Sequence, residues 1–134
     1  MHRDTVLSAE EFAKRLRNAY QSAAGASFSP KDEALFFKYL QEMIPPEQLK
    51  KPALRRDAAR ILHIFLLQVL KLPDEDWGKP AQFKDIYDCR ICANAIAQVC
   101  ARGLMQPVNR REFGGLLPLS DDEAAAICER ICEL

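Results

Sequence analysis

A cluster of basic side chains surrounds the start of the most apolar segment of this 134-residue chain. Its members are Lys50, Lys51, Arg55, Arg56 and Arg60. Backbone N–H groups at a helix N-terminus already carry partial positive charge, so cations placed there oppose the helix dipole unless an anion compensates for them. The cluster therefore predicts either an anion-binding site or internal neutralisation by Asp57 and the acidic residues 74–76. In the first case, Arg55→Ala with Arg56→Ala would weaken binding of an acidic ligand and leave thermal stability nearly intact.

Four of the five cysteines form two pairs with helical spacing. Cys89 and Cys92 lie three residues apart, and Cys128 and Cys132 lie four apart, so each pair shares one helical face. Three interpretations remain open: packing of the thiols in the core, which we favour, a four-thiolate zinc site where the two faces meet, and redox chemistry. The odd number of cysteines favours reduced thiols in a cytosolic protein, although partial pairing stays open.

Aromatic and histidine side chains offer few further candidates. Trp77, with Phe83 and Tyr87 nearby, either stacks on a sugar or peptide ligand or anchors a loop to the helices. His63 lies in the most apolar segment and is expected to be a buried histidine with a hydrogen-bond partner, whereas His2 is terminal. The sequence contains no nucleophile elbow, phosphate loop, zinc-protease or dinucleotide-binding motif. We therefore predict a non-enzymatic protein without a cofactor.

Charge and hydropathy limit the classes of partner. Nineteen basic and nineteen acidic side chains cancel, which argues against nucleic acid or an anionic membrane as the partner. The most apolar run, Ile61–Leu72, is interrupted by polar residues and is too short for a transmembrane helix, so we expect no membrane insertion. Residues 1–5 lack the apolar core of a secretion signal. The protein is thus either cytoplasmic, if Met1 is the true start, or a fragment of an exported cell-surface protein.

Helix caps and apolar spacing predict about five helices. These cover about residues 8–24, 30–43, 52–71 and 86–102, with a last helix from 120 onward. A glutamate follows each of Ser8 and Ser120 by three residues and would complete a capping box there. The third helix is apolar nearly all round and is expected to be central. Residues 105–118 form the longest irregular stretch, and no alternating pattern indicates a strand, so the fold class is all-α.

Three helix starts share one plan, in which an apolar residue and a cap position are followed by two variable positions, an acid and small or apolar residues. These starts are residues 7–13, 53–59 and 119–125. The plan predicts helix-loop-helix repeats. We expect residues 1–134 to form one compact helical domain with degenerate repeats at about 7–66 and 83–133, joined by a linker at about 72–82.

Residues 83–131 resemble the S-layer homology domain, a helical repeat of bacterial surface proteins; residues 34–66 resemble it more loosely, and residues 7–20 only through the helix start. The family's Phe-x-Asp-Ile opening is matched by Phe83–Ile86, its Gly-Ile step by Gly103-Leu104, and its loop phenylalanine by Phe113. The Thr-Arg-Ala-Glu start of the family's second helix is matched most closely by Leu54–Asp57.

This resemblance implies a pseudo-threefold arrangement of helix pairs that binds an anionic, often pyruvylated, cell-wall polysaccharide. The family's ligand-binding arginine corresponds to Arg55 in the second helix start, whereas the equivalent positions of the first and third helix starts hold Ala9 and Asp121. The predicted ligand-binding residues are Arg55, Arg56, Arg60, Lys51 and Trp77. The alternative is a cytosolic protein-interaction or regulatory domain that has lost polymer binding. Either form would be a monomer or a homodimer.

Overall fold

Six α-helices, two short 3₁₀ turns and connecting loops make up residues 7–134, which are the residues described by the computed structural model. The helices are α1 (Ala9–Ala24), α2 (Pro30–Met43), α3 (Pro46–Leu49), α4 (Arg55–Gln68), α5 (Arg90–Ala101) and α6 (Asp121–Ile131). No strand occurs within these residues, and one hydrophobic core joins the helices, so the all-α prediction is confirmed. The expectations for residues 1–5, including His2, lie outside the described residues.

Serine caps begin the first and last helices, as predicted. The Ser8 hydroxyl accepts from the Glu11 N–H at 3.0 Å, and the Glu11 carboxylate accepts from the Ser8 N–H at 3.0 Å. The Ser120 hydroxyl accepts from the Glu123 N–H at 3.1 Å. The second capping box is incomplete, because the carboxylate of Glu123 binds Arg55 instead of returning to Ser120.

Two helix starts differ from the prediction because tertiary contacts hold the preceding residues in extended or turn conformations. Helix α5 begins at Arg90 rather than Ile86, since the Asp85 carboxylate accepts hydrogen bonds from the long loop that follows the helix. Helix α4 begins at Arg55 rather than Pro52, since the backbone of Ala53 pairs with the neighbouring helix starts. The short helix α3 was not predicted.

Helix α4 is central, as its apolar sequence predicts. It packs against α1, α2 and α5, while α1 also packs against α6. Rings of Tyr20, Phe28 and Phe36 surround Phe65 in edge-to-face geometry, with centroid distances of 5.2 to 6.1 Å. Such contacts add to the stabilisation that burial of each ring supplies. Among the described helices, none has the length and apolarity needed to cross a membrane.

The three helix starts that share a sequence plan lie side by side. The Ala53 N–H donates to the Leu7 carbonyl at 2.7 Å, and the Leu119 N–H donates to the Ala53 carbonyl at 2.9 Å. The Arg55 N–H donates to the Leu117 carbonyl at 2.8 Å. Leu7, Ala53 and Leu119 are all buried. The starts of α1, α4 and α6 are therefore joined by backbone hydrogen bonds, with α4 in the middle.

Candidate functional site

Arg55, the centre of the predicted basic site, is buried, with 7% relative exposure. Its Nη1 donates to the Glu123 carboxylate, and its Nη2 donates to the Gln106 carbonyl oxygen. The guanidinium lies 4.7 Å from the centroid of the Phe113 ring. Arg55 therefore joins α4, α6 and the loop between α5 and α6, and Glu123 neutralises its charge inside the protein.

The other basic residues of the cluster lie in separate environments. Arg56 is half-buried and lines a small cleft near Cys89. Arg60 donates from Nη2 to the Met43 carbonyl at 3.3 Å, and burial lowers the pKa of its guanidinium. Lys51 is exposed. The structure does not bring these side chains together with Arg55 into one anion site.

Of the acidic residues expected to neutralise the cluster, Asp57 acts on Arg60, where its charge opposes the lowering of the pKa by burial, whereas Asp74 and Glu75 have partners outside the cluster. Asp57 accepts from the Leu54 N–H at 2.9 Å and so caps α4. In the linker, Asp74 lies 2.7 Å from His63 Nε2, and Glu75 lies 3.1 Å from an Arg102 nitrogen. The residue that neutralises Arg55 is Glu123, which sequence reasoning assigned to a capping box. The only feature of the sequence that pointed to Glu123 as the partner of Arg55 was its position in the third helix start, residues 119–125.

Trp77 is placed as a loop anchor. Its Nε1 donates to Asn94 Oδ1 at 3.0 Å, and its ring lies 6.0 Å from that of Tyr87. The buried side chain of Gln98 holds the same loop, because it accepts from the Glu75 N–H at 2.9 Å and donates to the Glu75 carbonyl at 2.8 Å. These bonds fix the linker on α5.

The sequence favoured reduced thiols but left partial pairing open, and one pair, Cys89 and Cys92, forms a disulfide. Cys89 is not helical but caps α5 with an extended backbone, which turns its sulfur toward Cys92 in the first turn. Cys128 and Cys132 are free thiols at α6, and burial raises the pKa of each. Within residues 7–134 no three metal-binding side chains are grouped, so the two pairs do not form a four-thiolate zinc site there.

Asp85 gives the Phe-x-Asp-Ile segment a physical role. Its carboxylate accepts from the N–H groups of Phe113 and Gly114 at 3.0 and 2.9 Å. The Lys84 N–H donates to the Arg111 carbonyl at 2.8 Å. The segment before α5 thereby holds the loop after it, and the docked loop closes two concave sites.

We name the first of these the disulfide cleft. It has a volume of about 190 Å³ and includes the surface of Cys89. Its other lining residues are Arg56, Asp85, Asp88, Ile96, Glu112, Gly114, Gly115, Leu116 and Leu117. A charged rim and a partly apolar wall thus border the half-buried Cys89 of the disulfide.

We name the second site the basic cavity. It has a volume of about 580 Å³ and lies between the 3₁₀ turn Lys79–Gln82, the end of α5 and the following loop. Its lining residues are Lys79, Pro80, Gln82, Phe83, Cys100, Gln106, Pro107 and Arg110. Burial raises the pKa of the Cys100 thiol to about 12, so that thiol is neutral. Within this described lining, the charged side chains are therefore both cations.

Sequence reasoning missed Lys79 and Arg110, because no local motif connects them. Both line the basic cavity, Arg110 from the loop that Asp85 holds. Comparison with protein-family models, with curated proteins and with solved structures finds no match. Functional inference for this chain therefore depends on the geometry of its own two concave sites.

Proposed function

We propose that this chain is a non-enzymatic binding module that takes a carboxylate-bearing saccharide into the basic cavity. The observation that carries the proposal is the charge of the lining, which contributes Lys79 and Arg110 and no acid among the described residues. Both side chains are exposed and reach a ligand from solvent without the large desolvation penalty of a buried cation. An arginine also matches the planar geometry of a carboxylate.

The remaining lining suits a sugar. Phe83, Pro80 and Pro107 provide apolar surface for a sugar face, while Gln82 and Gln106 provide amide groups for hydroxyls. The volume of about 580 Å³ lies within the range of about 300 to 1,000 Å³ that is common for small-molecule sites. The cavity is therefore large enough for one or two sugar units of a longer polymer.

Arg55 supports this site without touching the ligand. Its Nη2 holds the carbonyl of Gln106, which belongs to the cavity wall, and its guanidinium packs on Phe113 beside the Asp85 contact. The resemblance to the S-layer homology domain favours an anionic cell-wall polymer as the natural ligand. In this proposal the polymer binds through Lys79 and Arg110 rather than through the start of α4.

Binding to purified bacterial cell-wall sacculi tests the proposal. We expect the wild-type chain to sediment with sacculi that retain their anionic polymer and to stay soluble with sacculi from which the polymer has been extracted. Lys79→Ala with Arg110→Ala should weaken binding about tenfold or more, since two charge-assisted contacts are lost. The matched control, Lys31→Ala with Lys38→Ala, removes two exposed cations from α2 and should bind like wild type.

Equal binding by both double variants would contradict the proposed site. No binding by wild type, in an assay where an authentic polymer-binding module sediments, would contradict the proposed ligand.

Exposed apolar side chains near the start of α5 favour a second candidate function, a protein-interaction domain. Ile91 is 74% exposed, Leu116 65% and Tyr87 63%. The internal neutralisation of Arg55 agrees with a domain that does not use this arginine for polymer binding. Failure to bind sacculi, together with saturable binding of an apolar peptide that Leu116→Ser abolishes, would favour this candidate over the first.

A further inference from the structure

We propose that Cys89 and Cys92 form a redox-active pair that exchanges its disulfide with a cysteine pair of a partner polypeptide docked at the disulfide cleft. The inference does not depend on saccharide binding, because the disulfide cleft and the basic cavity have no lining residue in common. It rests on the position of the pair at the start of α5, the partial exposure of Cys89 and the apolar surface around it.

The two cysteines differ in exposure. Cys89 is the half-buried N-cap of α5 and lines the disulfide cleft, whereas Cys92 lies in the first helical turn with 2% exposure. An incoming thiolate therefore reaches Cys89 and not Cys92. The partial positive charge of the N-terminal amides stabilises the thiolate that Cys92 becomes when it leaves.

The exchange is a balanced two-electron reaction. A partner thiolate attacks Cys89 Sγ, so the partner-to-Cys89 bond forms while the Cys89–Cys92 bond breaks. Cys92 leaves as a thiolate, which takes a proton from solvent. The second thiolate of the partner then attacks the partner sulfur of the mixed disulfide and releases Cys89 as a thiolate. The partner dithiol is oxidised to a disulfide, and the protein disulfide is reduced to a dithiol.

The surface around Cys89 favours a polypeptide as the partner. Leu116 and Leu117 line the same cleft and are 65% and 49% exposed, and Ile91, between the two cysteines, is 74% exposed. Apolar side chains exposed together indicate an interaction surface. The charged groups of the cleft are the cation Arg56 and the acids Asp85, Asp88 and Glu112, so acidic groups predominate. We infer a partner segment with apolar residues beside its cysteine.

A purely structural role explains the disulfide less well. The ring joins cysteines three residues apart, and the entropy that a disulfide removes from the unfolded chain grows with ring size. Helix α5 is already held to α4 by its buried apolar side chains. The bond therefore adds little stability at this position, while it places one sulfur within reach of a partner.

The test measures the rate at which a reduced synthetic peptide with two leucine-flanked cysteines reduces the Cys89–Cys92 bond of the full chain. Quenched samples are analysed by mass spectrometry of the peptide that contains both cysteines. The reference is the oxidised free peptide with the sequence of residues 88–93. We expect the folded chain to react about tenfold faster or more, because the helix stabilises the leaving thiolate and the cleft docks the probe.

Substitutions separate docking from intrinsic reactivity. Leu116→Ser with Ile91→Ser should lower the rate with the leucine-flanked probe about threefold or more and leave the rate with glutathione unchanged. The matched control, Leu134→Ser, removes an exposed leucine that does not line the disulfide cleft and should change neither rate. A folded chain that reacts no faster than the free peptide would overturn the proposal. An equal loss of both rates in the double variant would overturn the docking surface.

Discussion

Replacing Arg55 by alanine distinguishes a structural arginine from a ligand-binding one. The substitution leaves the Glu123 carboxylate without its cation and the Gln106 carbonyl oxygen without its donor. It also removes the guanidinium from the face of the Phe113 ring. All three losses occur in a region that is largely shielded from water, so we expect a large effect on stability.

The magnitude follows from the burial of the pair. Removing one partner of a buried ion pair costs about 3–5 kcal/mol. The side chain of Glu123 keeps 21% exposure, so water partly replaces the arginine and the lower limit of about 3 kcal/mol applies. Loss of the cation–π contact adds about 1 kcal/mol. The expected loss of about 4 kcal/mol is a large share of the roughly 5–15 kcal/mol that stabilises a typical domain.

Urea unfolding followed by circular dichroism measures this difference. The matched control is Arg56→Ala, which keeps the backbone hydrogen bond from Arg56 to the Gly115 carbonyl and should change stability by less than about 1 kcal/mol. Glu123→Gln in the Arg55→Ala background should restore part of the loss, because it removes the uncompensated charge. The structural role of Arg55 is refuted if Arg55→Ala is no more destabilising than Arg56→Ala.

Three further outcomes follow from individual contacts. Asp85→Ala should destabilise the fold by about 2–3 kcal/mol, because two loop N–H groups lose their acceptor; a change below about 0.5 kcal/mol in urea unfolding would contradict this. At pH 8 the native Cys100 thiol should react with iodoacetamide at least about tenfold more slowly than an exposed cysteine, because burial raises its pKa from 9.0 to about 12 and so lowers its thiolate fraction; equal labelling by mass spectrometry would disprove it. Burial raises the pKa of Asp74, but hydrogen bonds from Asn94 and His63 outweigh it and bring the pKa below the ordinary value of 3.8. The stability that these hydrogen bonds contribute is therefore fully present above pH 3.8 and is lost as the pH falls through the lower pKa of the folded protein. Asp74→Asn should therefore flatten the loss of stability in this acid range, and an unchanged acid-unfolding profile would argue against the contact.

Local sequence signals predicted much of the fold. The cap of α1 was predictable because Ser8 and Glu11 interact within one turn, and the central position of α4 followed from its apolar faces. The start of α5 was not predictable, because Asp85 binds backbone groups that lie 28 and 29 residues away. Hydrogen bonds over such separations leave no periodic pattern in the sequence.

The candidate sites were less predictable for the same reason. The basic cluster was visible in the sequence, but its neutralisation by Glu123 joins residues that are 68 positions apart. The spacing of Cys89 and Cys92 indicated a shared helical face, and the disulfide formed because Cys89 precedes the helix. The basic cavity depends on loop docking, which brings Lys79 and Arg110 to one lining.

Nuclear magnetic resonance of the ¹⁵N-labelled chain, titrated with a pyruvylated cell-wall disaccharide, tests the proposed function most directly. The proposal predicts saturable shift changes in the backbone amides of Lys79, Gln82, Phe83, Gln106 and Arg110, with the same disaccharide lacking its carboxylate producing none. Unchanged spectra, or shifts centred on the start of α4 instead of the basic cavity, would contradict it.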